Sequence, residues 1–372
     1  MSRRSKRRER RDKKRLEKKN LTKKYDDFEN VASIKSLYES AKKASKGVVW
    51  KASVQKYLLS ILFKVSRTRK DLLKGKDVRQ GFIEFDLNER GKTRHIKSVH
   101  FSERVIQKSI CSNALYPVLT NSLIYDNYAS QKGKGTHFAE KRFTNFLREF
   151  YRQYKREGYI LLIDFKSYFE NIPHEPLKET FRKYFTDEKL IKLADCFVEA
   201  FGERGLGLGS ETSQINAIAH INHIDHYIKE VEHIKYYGRY MDDSFIIHHN
   251  KEFLKELLNR LDELYKNSGV ILNKKKTKIV SLKQSFIFLK TRFFITESGR
   301  IIRKPCRESI TRERRKMKRQ SILFIKGILK FDEALQSFNS FIGSMLHRNS
   351  NRTIFTLTKM FNKLFKKENE KC

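Results

Sequence analysis

Residues 236–249 read YYGRYMDDSFIIHH. Two β-rich apolar runs, 234–240 and 244–249, flank Met241-Asp242-Asp243. That spacing predicts an antiparallel strand pair with the two adjacent acids in its tight turn. Ladder pairing holds such a turn rigid and offers the carboxylates at one edge of a sheet. A second run of the same kind, Tyr159-Ile160-Leu161-Leu162-Ile163, opens after Gly158 and runs into Asp164, 78 residues before Asp242. If the strands are neighbours, three carboxylates converge. Clustered carboxylates are costly unless a cation neutralises them, and hard oxygen donors suit magnesium. Taken singly, each Asp reads better as a strand cap.

Outward from these strands the pattern alternates between helix and sheet. Residues 25–69 carry apolar positions at three- and four-residue spacing around Ile34, Leu37, Tyr38 and Ala41, a helical signal. GFIEFDLNERGKTRHIKSVH (81–100) alternates and breaks at Asn88–Gly91, which predicts a β-hairpin. Helices are expected over 102–119, 138–155, 213–232 and 251–267, and strands near 278–282 and 286–295. Beyond Lys304 the chain reads as a basic helical unit with amphipathic segments around 331–345 and 353–365.

Composition narrows the class of partner. The chain has 372 residues, with Lys+Arg 81 against Asp+Glu 43, a formal net charge of +38. A body this positive repels itself, and a polyanion relieves that repulsion. Nucleic acid does so through phosphate neutralisation, whether the chain is an enzyme or a basic binding protein. No apolar run is long enough to span a bilayer, so no membrane role is expected. Fourteen of the first 24 residues are Lys or Arg. They predict a disordered basic arm for a phosphate backbone, a solubilising tail or a targeting signal. Cys111, Cys196, Cys306 and Cys372 are far apart, without zinc or disulfide spacing. With no apolar segment following the basic N-terminus, a reducing cytoplasm fits. His220, His223, His226 and His233 fall near one helix, but three-residue steps drift around it, so a zinc site is a weak expectation.

Several motifs, in the family's order along the chain, carry a resemblance. Tyr240-Met241-Asp242-Asp243 resembles the YMDD-type box of reverse transcriptases. LLIDFKSYFENIPH (161–174) is similar to their first palm motif, and GLGLGSETSQ (205–214) to the motif B loop. LNKKKTKIV (272–280) and FIFLKTRFF (286–294) resemble the last palm motif and the primer grip. Upstream, ERVIQ (103–107) and YASQKGKGTHFAEKR (128–142) resemble bacterial fingers. The similarity covers roughly residues 80–295.

The resemblance implies an α+β, right-hand polymerase fold with fingers, a palm of antiparallel sheet plus helices, and a helical thumb. It divides the chain into a basic arm (1–24), N-terminal helices and fingers (25–157), a palm (158–300) and a thumb (301–372). It implies an RNA-directed DNA polymerase using two magnesium ions, dNTPs and an RNA template, with a DNA product. Asp164 and Asp242 match the acids that bind both metals, and Asp243 the last acid. Phe169, five residues after Asp164, matches the steric gate against a ribose 2′-hydroxyl; a core Phe is the plainer reading. Gly209, Ser213 and Gln214 match the loop against template and incoming nucleotide. Leu208 stands where many members carry Gln, which touches fidelity. Lys276 matches a general acid toward pyrophosphate, although Lys274, Lys275 and Lys278 beside it read equally as a solvated charged face. Lys92 and Arg94 match the basic fingers on the triphosphate, or form an exposed basic hairpin. Basic residues 303–319 match a thumb that tracks the duplex. A prokaryotic stand-alone enzyme of the antiphage-defence or diversity-generating type is expected, with a noncoding RNA partner. The resemblance leaves a protein partner, a homo-oligomer, RNA synthesis and a catalytically silent relative open.

Overall fold

The computed structural model describes residues 9, 13, 16, 17, 19–89 and 92–365. Most of the basic arm, the hairpin tip at Arg90-Gly91 and Cys372 lie outside the described residues; those from Lys19 to Tyr25 are helical. The chain folds into two compact units that interleave in sequence. One comprises residues 1–132, 164–235 and 258–273, the other 133–163, 236–257 and 274–372.

The first unit is mainly helical. Helices Phe28–Val31, Ile34–Ser45, Ala52–Leu59 and Ile61–Leu73 follow the expected apolar spacing. They bury Val31, Leu37, Ala41, Val54 and Val65. Ser33 caps the second of them by accepting from Ser36 N, the role short hydroxyls play at helix starts. Asp187 caps helix Glu188–Glu199 through Lys189 N and Leu190 N, and its other oxygen accepts from Phe28 N at 2.8 Å. One carboxylate thus ties two helix starts 159 residues apart. Strands β1 (Phe82–Glu89) and β2 (Lys92–Val99) form the expected hairpin, with Phe82 opposite Val99. Two helical runs carry a π turn, at Cys111–Leu115 and Tyr227–Val231.

The second unit holds both larger sheets. β3 (Tyr159–Ile163), β4 (Tyr237–Tyr240), β5 (Asp243–His248) and β6 (Lys278–Ser281) make one antiparallel sheet in the order β4-β5-β3-β6. β7 (Phe286–Phe288), β8 (Thr291–Ile295) and β9 (Ile301–Pro305) make the other. β9 corrects the expectation of an entirely helical segment from residue 301. Ile301 and Ile302 pair with Ile295 and Phe294, so the sheet claims these residues before the helices begin. Helix Thr136–Tyr154 presents Phe143, Phe146 and Phe150 to the core. The Phe143 ring lies 4.4 Å from that of Phe245 and 4.7 Å from that of Phe293. Each such buried ring contributes about 1.5–3 kcal/mol. Helices Arg307–Ile325, Phe331–Met345 and Asn351–Phe365 close on their own core around Met317, Phe338, Leu357 and Phe361. Among the described residues, no helix is long and apolar enough to cross a membrane.

One buried ion pair stands in this unit. Glu140 is 2% exposed and accepts from Thr291 Oγ1 at 2.5 Å and Arg348 Nη2 at 2.9 Å. Glu140→Ala strands the guanidinium against a protein surface without its counter-charge. It is expected to destabilise the chain by about 3 kcal/mol or more, read as a lower urea midpoint. An unchanged midpoint would show that the pair does not hold the unit together.

Candidate active site

Sheet register determines where the acids stand. β3 ends at Ile163, opposite Ser244, and Tyr240 lies opposite Asp243. Asp164 follows Ile163 in the chain, and Asp243 precedes Ser244. Asp242 lies in the two-residue β4–β5 turn, whereas Asp243, expected in that turn, opens β5 and pairs with Tyr240. Asp164 is 9% exposed, and Asp242 and Asp243 are half-buried.

The turn is held from behind. Met241 has φ +58°, as the first central residue of a type II′ hairpin turn requires. A side chain there costs about 1–3 kcal/mol of strain. Arg239, wholly buried, donates from Nη1 to the Met241 carbonyl at 3.1 Å. The guanidinium thus fixes the backbone immediately before Asp242. Burial also lifts the Tyr240 phenol above its ordinary value.

Asp164 has its own positioning partner. Asn273 donates from Nδ2 to Asp164 Oδ1 at 2.9 Å and from its backbone N to Asp164 O at 2.8 Å. Phe165 bridges Leu272, and Lys166 N donates to Ile271 O at 2.8 Å. This short ladder holds Asp164 after β3 has ended. Asn273 was not singled out from the sequence; a lone polar residue before a lysine run gives no local signal. Among the described residues, no group of three or more His, Cys, Asp or Glu stands close enough to hold a metal ion. Like carboxylates repel at short range, and one Asp164 oxygen is engaged by Asn273.

The remaining candidates fall in distinct places. Phe169 is half-buried on the short helix Tyr168–Asn171. Its carbonyl accepts from Leu206 N at 2.7 Å, which ties it to the glycine-rich loop. Gly209 (φ +100°) and Gln214 line a cavity of about 560 Å³ with Arg104, Lys108 and Lys132. Glu211, also lining it, pairs with Lys108 at 2.8 Å, so the lining is net positive. Ser213 differs: it is 1% exposed, inside helix Glu211–His220. Its amide is capped by Ser210 Oγ, which also donates to Gln107 at 2.9 Å. Arg94 is exposed on β2, and Lys92 opens that strand opposite Glu89. Lys276 is exposed in the turn at 274–276.

The histidines do not gather. His220 and His223 reach Ser268 at 2.8 and 3.1 Å, while His226 reaches Ser122 O at 2.9 Å and Glu230 at 2.7 Å. His220 and His223 thus pin their helices to Ser268 and His226 pins its own to Ser122, which are structural tasks.

Telomerase from Candida albicans in complex with TWJ fragment of telomeric RNA is similar at TM-score 0.50 and 12% identity, over 77% of this chain and 55% of that one. Apo telomerase from Candida tropicalis, truncated from its C-terminal domain, is similar at TM-score 0.47 and 15% identity, over 60% and 55%. The chain thus spans about half the length of these structures. Among curated proteins, none matches. The α+β right-hand polymerase fold expected from the motifs holds. Residues 76–306, more than half of the sequence and including all three acids, match the model for reverse transcriptase (RNA-dependent DNA polymerase), and the chain belongs to that family.

Proposed function

We propose that this reverse transcriptase is catalytically active, extending a primer with dNTPs on an RNA template, with Asp164, Asp242 and Asp243 holding two magnesium ions. The observation that carries the reading is the register placing Ile163 opposite Ser244. It sets the end of β3, which Asp164 follows in the chain, beside the start of β5, which Asp243 opens. The donors fit the metal, since carboxylate oxygens are the hard ligands magnesium takes. Bound there, the ions would activate a primer 3′-hydroxyl and neutralise charge on the leaving pyrophosphate.

The chain's own residues supply the rest. Arg239 and Asn273 orient the two acid-bearing segments. Arg94 and Lys92 bind the triphosphate, Arg94 by charge-assisted bonds, and Lys276 offers a proton to pyrophosphate. Gly209 and Gln214 face the template and incoming nucleotide from the basic cavity, with buried Ser213 packing the helix behind them. The basic segment 303–319 follows the duplex as part of the thumb. Net charge +38 suits a structured noncoding RNA, and the role proposed is prokaryotic antiphage defence. The loop LGSETSQ serves a diversity-generating enzyme equally well, and sequencing the nucleic acid that co-purifies with the chain separates the two.

The test is primer extension on an RNA template with magnesium, dNTPs and rNTPs run side by side. DNA extension is expected; absence of any extension would count against an active enzyme. Phe169 gives a sharper readout. Phe169→Val makes room for a 2′-hydroxyl, and the preference for dNTP over rNTP should fall by on the order of 10–100-fold. An unaltered preference would return Phe169 to a packing role.

A further inference from the structure

A second cavity, of about 480 Å³, lies in the unit that carries the sheets. Its size falls in the range of ligand pockets. One wall is a single stripe of helix Thr136–Tyr154: His137, Lys141 and Arg148 recur with Glu140, Thr144 and Asn145 at three- and four-residue spacing. The stripe carrying Phe143, Phe146 and Phe150 faces the core instead. The opposite wall is the 346–349 turn with Arg303.

The charge of this cavity is one-sided. Lys141, Arg148, Arg303 and Arg348 line it, together with His137 and His347. Among the described residues its only lining acid is Glu140, and that carboxylate is already engaged by Arg348 and Thr291. Arg348 Nε, buried, has no hydrogen-bond partner among the described residues. The two imidazole rings stand 4.3 Å apart. The walls are also fixed in place: Arg303 N donates to Asn349 Oδ1 at 2.9 Å, and Asn349 N donates to Arg303 O at 2.8 Å. Several cations lining one cavity whose acid is already paired are the arrangement that binds phosphate oxygens.

We propose that this cavity is a phosphate-binding site, apart from the three acids, that takes either a strand phosphate of bound nucleic acid or a free polyphosphate. Lys141 and Arg148 supply the charge from the helix. Arg348, held by Glu140, supplies it from the turn. Occupancy joins helix and turn through the ligand, in a cavity the protein has already shaped.

The test is a histidine footprint on the full chain, because +38 of surface charge would obscure a simple binding isotherm. His137 and His347 are exposed and open to carbethoxylation by diethyl pyrocarbonate, located by mass spectrometry. Sodium tripolyphosphate and a short RNA are the two probes. Protection of both histidines by tripolyphosphate alone identifies a free polyphosphate site; protection by RNA only identifies a strand site. In either case Lys141→Gln/Arg148→Gln should weaken protection by about tenfold or more in probe concentration, the effect of losing charge-assisted bonds. Both side chains are exposed, so the fold is kept, and Arg148→Gln alone serves should the double variant not fold. Equal labelling with and without both probes would overturn the proposal, as would protection undiminished in the variants.

Discussion

Asp242→Ala is expected to abolish DNA synthesis, lowering the single-turnover rate of dNTP addition by on the order of 10³-fold or more. The argument is local. Asp242 sits in a two-residue turn whose backbone is fixed by pairing of Tyr240 with Asp243 and by Arg239 on the Met241 carbonyl. Its side chain is half-buried, so truncation opens no core cavity and the fold should survive. On the proposed reading, what is lost is a carboxylate that would help hold magnesium beside the transferring phosphate. Asp242→Asn separates charge from shape: it keeps the volume, removes the anion, and should fail almost as completely. Far-ultraviolet circular dichroism and retained RNA binding would confirm that each variant is folded. A rate within tenfold of the parent would remove Asp242 from the catalytic machinery and with it the active-enzyme reading.

Much of this site was legible in the sequence because its signals are local. YILLI before Asp164 is five apolar residues ending on an acid, and β3 spans those five residues. Tyr240 and Asp243 bracket a two-residue gap, and the turn falls there. The hairpin at 82–99 and the helix at 251–267 follow from periodicity in the same way. Illegible residues act at long range. Asn273 lies 109 residues from Asp164, and nothing in LNKKKTK marks it out from the lysines. Arg239 reads as a polar interruption of a strand; only its complete burial shows that it serves the turn. Ser213 matched a motif, yet helix Glu211–His220 turns it inward and leaves Gln214 at the cavity. β9 escaped because IIRKP is short, basic at its end and stabilised by pairing with β8 rather than by its own pattern. The interleaved units have the same origin, since three sequence segments contribute to each.

Gly205 is the position where one added methyl should do the greatest structural harm to the site. Its φ is +87°, a conformation open to glycine at little cost and to other residues only with strain. A Cβ built there meets Glu170 O at 2.8 Å and Glu170 C at 3.2 Å. The obstacle is backbone, so no side chain can swing aside. The same residue is tied on both sides: its N donates to Ile172 O at 2.8 Å, and its carbonyl accepts from His174 Nε2 at 2.7 Å. The next amide, Leu206 N, donates to Phe169 O. These bonds lace the loop 205–209 to the segment that carries Phe169. Strain of about 1–3 kcal/mol and a comparable overpacking term put Gly205→Ala at about 3 kcal/mol or more. The segment has two ways to respond. It can unfold locally, lowering stability, or shift away from Glu170, breaking the Leu206–Phe169 bond. The second outcome predicts loss of dNTP selectivity together with a slower rate, whereas Phe169→Val loses selectivity alone. Measuring the urea midpoint and the dNTP/rNTP ratio on one preparation distinguishes the two responses. If both are unchanged, neither the close approach of Gly205 to Glu170 nor the lacing around it holds the gate in place.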